Sequence, residues 1–258
     1  MMKKILLLAL LLLLNSQFAF AKNWCDEASM YYCYPVDEGS GTTVYDDANS
    51  YDLTITGTVT WQTASPSASY SSNYLNFDGS NDYARDTAIA PWIGNYAIGM
   101  WVNPYYTDAD NIFFNHYGSG GNRTWLGQNN GGDGKFYFEY MEGGHWNGVY
   151  GTSTPTGDWQ HIVGTRTDYT SLTNDLRVYV DGVLEKTSDS DHEYGISLTN
   201  GILTFGTDQA GGYDYKGDGD EMFMYRNTMD STDINDIMDN GLLQASSSSY
   251  QRGVMIFN

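Results

Sequence analysis

The chain is short of positive charge. Twelve Lys and Arg stand against 32 Asp and Glu in 258 residues, a formal net charge of −20. Such a polyanion is repelled by the phosphates of nucleic acid and by anionic membrane surfaces, so neither is an expected partner. Cysteine is scarcer still, with only Cys25 and Cys33. Two cysteines exclude a multi-disulfide scaffold, and without clustered histidines they make no zinc site. The four histidines, His116, His145, His161 and His192, show no ligand spacing. Helical periodicity is almost absent, and no apolar run after residue 21 is long enough to cross a bilayer.

The one apolar run, 5–14, follows Lys3-Lys4 and precedes Ala19-Phe20-Ala21. A basic start, a short apolar stretch and an A-x-A site read as a secretory signal peptide over 1–21. Its removal takes away Lys3 and Lys4 and no acid, so −20 becomes −22. The mature chain, from Lys22, is expected to be secreted, extracellular or periplasmic, with no membrane insertion. In that setting Cys25 and Cys33 are expected to form one disulfide.

What is abundant is glycine (29) and tyrosine (22), with only 17% charged residues, a mix that suits many short strands and tight turns. Ile98, Met100 and Val102 alternate with Ala97, Gly99 and Trp101. Leu176, Val178 and Val180 alternate with Arg177 and Tyr179. Asp181-Gly182 between two β-prone runs is a strong hairpin signal. Further strands are expected at 53–56, 59–62, 74–77, 135–140, 159–166, 202–205 and 221–226. Spacing near ten residues argues for an all-β sandwich or jelly roll of two antiparallel sheets. One short C-terminal helix is expected, capped by Asp230 or Ser231. Ile234, Ile237 and Met238 form its apolar stripe, and Gly241 stops it. The expected organisation is one domain over 22–244, then a Ser-rich linker and apolar tail over 245–258. Residues 62–72 read as a connecting loop.

Seven segments carry a resemblance: "YPVDEGSGTTVYDDANSYDLTITGTVTW" (34–61), "LNFDGSNDYA" (75–84), "YAIGMWVNP" (96–104), "GDWQHIVGTR" (157–166), "LRVYVDGVL" (176–184), "ILTFG" (202–206) and "YKGDGDEMFMYRNTMDSTDINDIM" (215–238). In this order they resemble the laminin-G-like, concanavalin A-like lectin/glucanase jelly-roll domains, of the branch related to pentraxins. The resemblance covers about residues 31–240. It implies a curved two-sheet sandwich that binds glycans or protein partners, often with calcium. Relatives commonly hold one structural calcium between an early acidic turn, a loop carbonyl and the acid opening the last strand. Carried over, that gives Asp37, the Gly79 carbonyl and Asp220. Gly219 replaces the apolar residue usual before that acid. The other reading of these acids is as turn residues, whose side chains bond the following backbone.

Glycoside hydrolysis needs two carboxyls on one face. Glu139 and Glu142 are three apart on a strand and so lie on opposite faces. No Ser-His-Asp set is legible, and Gln160-His161 fits a structural strand. An enzyme is therefore the weaker reading. Sugar binding calls for aromatic platforms with amides and carboxylates, concentrated on loops. The segments 103–130 and 140–151 read as such loops. Tyr105, Tyr106, Trp125, Trp146 and Tyr150 are the aromatic candidates, with Asn103, Asp110, Gln128 and Asn147 as polar ones. The expected ligand site is Tyr105, Trp125, Trp146, Asn147 and Tyr150. Trp146 leads because Gly143, Gly144 and Gly148 flank it. Three functions stay open: a secreted, calcium-stabilised module for a glycan or cell-surface ligand, an adhesion protein with a protein partner, and a diverged polysaccharide hydrolase or lyase. The oligomeric state is left open.

Overall fold

The computed structural model describes residues 22–63, 72–89, 94–105, 110–128, 133–167, 174–190, 201–208 and 210–243. The signal-peptide reading, the 245–258 tail, Tyr106, His192 and most of the 62–72 loop lie outside these. In chain order the strands begin with β1 (Met30–Tyr34), β2 (Thr43–Val44), β3 (Leu53–Thr56), β4 (Thr60–Thr63), β5 (Asn73–Asp78), β6 (Tyr83–Ile89), β7 (Tyr96–Pro104) and β8 (Asn111–Tyr117). They continue with β9 (Arg123–Gln128), β10 (Phe136–Glu142), β11 (His145–Tyr150), β12 (Gln160–Thr167), β13 (Asn174–Val180), β14 (Val183–Ser190), β15 (Gly201–Phe205) and β16 (Lys216–Tyr225). One helix, α1 (Ser231–Asn240), follows.

Two antiparallel sheets form a sandwich. The back sheet runs β14-β13-β12-β7-β16-β5-β4, with β1 also paired to β16. The front sheet runs β11-β10-β9-β8-β15-β6-β3-β2. Alternation sends one set of side chains inward from each sheet. Ile98, Met100, Val102 and Ile162 meet Phe114, Leu126, Phe136 and Phe138 in the shared core. A second core lies outside the back sheet, where Ile234 and Ile237 of α1 pack with Trp24, Val163 and Phe223. The Asp230 carboxylate caps α1 by accepting from the Thr232 and Asp233 amides. Cys25 and Cys33 form a disulfide, with Cα atoms 5.5 Å apart. The Trp24 amide donates to the Leu242 carbonyl at 3.0 Å, and its indole N–H donates to Asp236 at 2.9 Å. The start and end of the described domain are thus stitched together.

Two expectations are corrected. The last strand, expected at 221–226, begins earlier, and the acidic run Asp218, Asp220, Glu221 lies within it as part of β16. Glycine made it read as a turn, yet Gly219 is there for close approach: a Cβ would stand 2.3 Å from the Phe205 ring. Likewise the described parts of 103–130 and 140–151, expected as loops, hold the strands β8, β9 and β11.

Candidate ligand-binding face

The outer face of the front sheet does not follow the usual plain polar pattern. Register places Asn115, Trp125, Glu139 and Gly148 side by side across β8, β9, β10 and β11. The next outward row is Ile112, Gly127, Tyr137 and Tyr150; on the other side lie Tyr117, Arg123, Met141 and Trp146. Between these rows Phe114, Leu126, Phe138 and Val149 point into the core. Ile112, Trp125 and Tyr137 form a separate apolar cluster on the outside. Aromatic side chains at alternating positions thus build a second, solvent-facing platform.

The rings converge. Trp125 and Trp146 have centroids 4.7 Å apart, Trp125 and Tyr213 5.8 Å, and Tyr137 and Tyr150 5.8 Å. Trp125 is 9% exposed, whereas Trp146, Tyr150 and Tyr213 are 44, 43 and 40% exposed. The Trp125 indole N–H donates to Asn115 Oδ1 at 2.9 Å, which fixes its plane. Tyr213 comes from the connection between β15 and β16, and its carbonyl accepts from the Ile112 amide. Asp110, Ile112, Trp125, Tyr137, Glu139 and Tyr213 line a cleft of about 130 Å³. Gly148 leaves room for Glu139, since a Cβ there would stand 2.7 Å from the Glu139 Cγ.

Glu139 is half-buried and accepts a hydrogen bond from the Tyr150 hydroxyl. Burial pushes its carboxyl above the usual glutamate range; the Tyr150 bond opposes this, and the Asp110 charge adds to it. Burial, the bond to Glu139 and the Glu139 charge push Tyr150 up. Burial, with Glu139 and Asp110, does the same to Tyr137. These phenols are neutral hydrogen-bond groups beside an acceptor. The arrangement can stack a flat apolar face and accept hydrogen bonds at its edge.

Of the expected ligand residues, Trp125, Trp146 and Tyr150 share this face, and Asp110 lines its cleft. Asn147 does not share it: it pairs with Tyr140 and alternates to the opposite side from Trp146 and Gly148. Gln128 is buried and accepts from Asn111. Tyr105 follows the end of β7 on the other sheet, and its hydroxyl donates to Asp218 at 2.8 Å. Asn76 and Asn103 hold the same carboxylate at 2.7 and 3.3 Å. Tyr137, Tyr213 and Glu139 complete the cleft. The alternation in "FYFEYM" signals that Tyr137 and Glu139 share a face, but only the register sets them against Trp125. No sequence signal places Tyr213 there.

Asp37, Gly79 and Asp220 do not meet at one point. The Asp37 carbonyl accepts from the Asn73 side chain at the start of β5, while Gly79 follows the end of that strand, beside Lys216. Six residues of strand put these two about 20 Å apart. Asp220 is four residues beyond Lys216 on β16, buried, and accepts from the Glu221 amide at 2.8 Å. Among the described residues no group of three or more His, Cys, Asp or Glu could hold a metal ion. Several acids instead accept from backbone amides. Asp46 takes those of Cys33, Ala48 and Tyr51, and Asp82 those of Thr58 and Asp78. His161 is buried 5.1 Å from the Trp101 ring, with burial lowering it to about 3, so it is a neutral packing residue.

A family model described as the concanavalin A-like lectin/glucanases superfamily matches residues 78–235. No curated protein matches the chain in sequence. Among solved structures, domain 4 of an extracellular arabinanase of Geobacillus stearothermophilus, in complex with arabinotriose, is 18% identical. It has a TM-score of 0.58 over 82% of this chain and 98% of that one. The binding domain of Paraclostridial Mosquitocidal Protein 1 is 12% identical, with a TM-score of 0.63 over 82% of this chain. The match spans about half of that toxin domain, 52%. A heptameric SAP-like pentraxin of Limulus polyphemus is 13% identical, with a TM-score of 0.52 over 64% of this chain and 80% of that one. At such identities these likenesses establish the fold.

Proposed function

Because the chain belongs to the concanavalin A-like lectin/glucanases superfamily, whose fold hosts many activities, we propose its function from the site: a glycan-binding module whose ligand rests on the outer face of β8–β11. One observation carries the reading. Trp125, Trp146, Tyr137, Tyr150 and Tyr213 gather outside the core around a cleft edged by Glu139 and Asp110. Soluble proteins seldom leave several large aromatic rings together on a sheet face without a partner. Sugar rings supply the apolar C–H face for the indoles and hydroxyl donors for the carboxylates. The arabinotriose bound by the arabinanase domain supports a saccharide ligand on this fold. The disulfide and the signal-peptide pattern support action outside the cytoplasm.

Quenching or shift of tryptophan fluorescence on a panel of oligosaccharides tests the proposal. At least one saccharide should perturb the emission, and Trp146→Ala should remove most of the response. A panel without response, alongside capture of a protein ligand on the same face, would replace this reading with an adhesion role.

A further inference from the structure

The cleft holds more negative charge than a neutral sugar requires. Asp110 and Glu139 line the same small space and repel one another. No Lys or Arg among the described residues forms an ion pair with Glu139. Glu139 takes the Tyr150 hydroxyl, and a positive ligand would offset the Asp110 charge beside it and favour its ionised form. The rest of the lining is Ile112 and the rings of Trp125, Tyr137 and Tyr213. Aromatic faces attract cations through their quadrupoles. The same platform already does so at its far edge, where the Arg123 guanidinium sits 5.1 Å from the Trp125 ring and 5.0 Å from that of Trp146. Arg123 pairs with Met141, one row away from Glu139, and does not itself line the cleft.

Calcium fits this lining badly. It takes six to eight oxygen ligands, and here two carboxylates face three rings and an isoleucine. An organic cation wants the reverse: few charged oxygens and much aromatic surface. We infer that the cleft takes an ammonium group, presented by an amino sugar with a free amine or by a small alkylammonium ion. The sugar-borne form rests on the glycan-binding reading. The net charge of −20 draws such ligands in from solution and turns acidic sugars away.

The test compares a glucosamine oligomer, its fully N-acetylated counterpart and tetramethylammonium, titrated into the mature chain at about pH 6, where amines are protonated. The glucosamine oligomer should bind about tenfold tighter than the acetylated one, as expected for one added charge-assisted contact. Glu139→Gln and Asp110→Asn should each erase that preference. Retained binding of the acetylated oligomer shows that the variants still fold. Tetramethylammonium binding without either oligomer would assign the cleft to an alkylammonium ion and remove the sugar. Equal affinity for both oligomers would overturn the ammonium inference and leave the glycan reading standing. No binding by any of the three would overturn both. A preference that survives both substitutions, or displacement by millimolar calcium at equal ionic strength, would also overturn the inference.

Discussion

Trp125 and Trp146 touch each other but differ in what their loss costs. Trp146 is 44% exposed, so Trp146→Ala should weaken glycan binding about tenfold or more while changing stability by under ~1 kcal/mol. Trp125 is anchored to Asn115 and 9% exposed. Its alanine variant should lose binding and about 3 kcal/mol of stability as well, measured by urea unfolding. Glu139 makes a prediction in pH. Its folded carboxyl titrates above the ordinary range because it is half-buried. The folded chain therefore holds that proton longer than the unfolded one. Glu139 contributes most stability at low pH and loses it as pH rises through its folded pKa. Over that window Glu139→Gln should gain in melting temperature relative to the wild type. Parallel melting curves for the two proteins would dismiss the account of Glu139. The sequence singled out Trp146 by its flanking glycines and Tyr150 by its residue type, and the register puts both on the outer face of β11. Asn147, expected beside them, takes the other face, because the side a strand residue takes depends on the phase set by the Gly143-Gly144 turn.

Strand β16 shows how an element can be hidden by its own composition. Its pairing runs Gly217↔Phe77, Asp218↔Asn76 and Gly219↔Leu75 on one side and Asp218↔Asn103 on the other. Gly219→Val should cost about 1–3 kcal/mol or more, because the added atoms meet the Phe205 ring with no room to retreat. Helix α1 was the easier element. Its cap, stripe and stop were all readable, and the Asp230 carboxylate does hold two amides. Asp230→Ala should cost about 1 kcal/mol. The hairpin at Asp181-Gly182 was equally local, and both residues take positive φ, 48° and 74°. By contrast β8, β9 and β11 read as loops, since their glycines and asparagines outweigh short apolar pairs such as Phe113-Phe114. Those strands exist because long-range pairing in the front sheet satisfies them.

At the scale of the molecule, pH stability should follow two buried histidines. Burial lowers both His116 and His161 from an ordinary value of 6.5 to about 3. Between these values the unfolded chain binds protons that the folded chain does not. Their effect is to lower stability as pH falls through that window. His116→Leu should flatten the acid side of a plot of melting temperature against pH; a slope unchanged from wild type would contradict the assignment. Carboxylates raised by burial, Glu139 and Asp46, act in the opposite sense over their own range.

The sequence by itself determined the all-β class, the helix and its cap, the tight hairpin, the charge and the pair of cysteines. Each of these depends on neighbours in the chain or on composition alone. Tertiary structure alone decided which aromatic rings meet and where the acids go. Trp125, Glu139 and Gly148 are neighbours only through the register of three strands, and Tyr213 reaches them from a connection about 70 residues further along. Tertiary structure also set Gly79 a strand's length from Asp37, because the Asp37 carbonyl is held at the start of β5 and Gly79 follows its end.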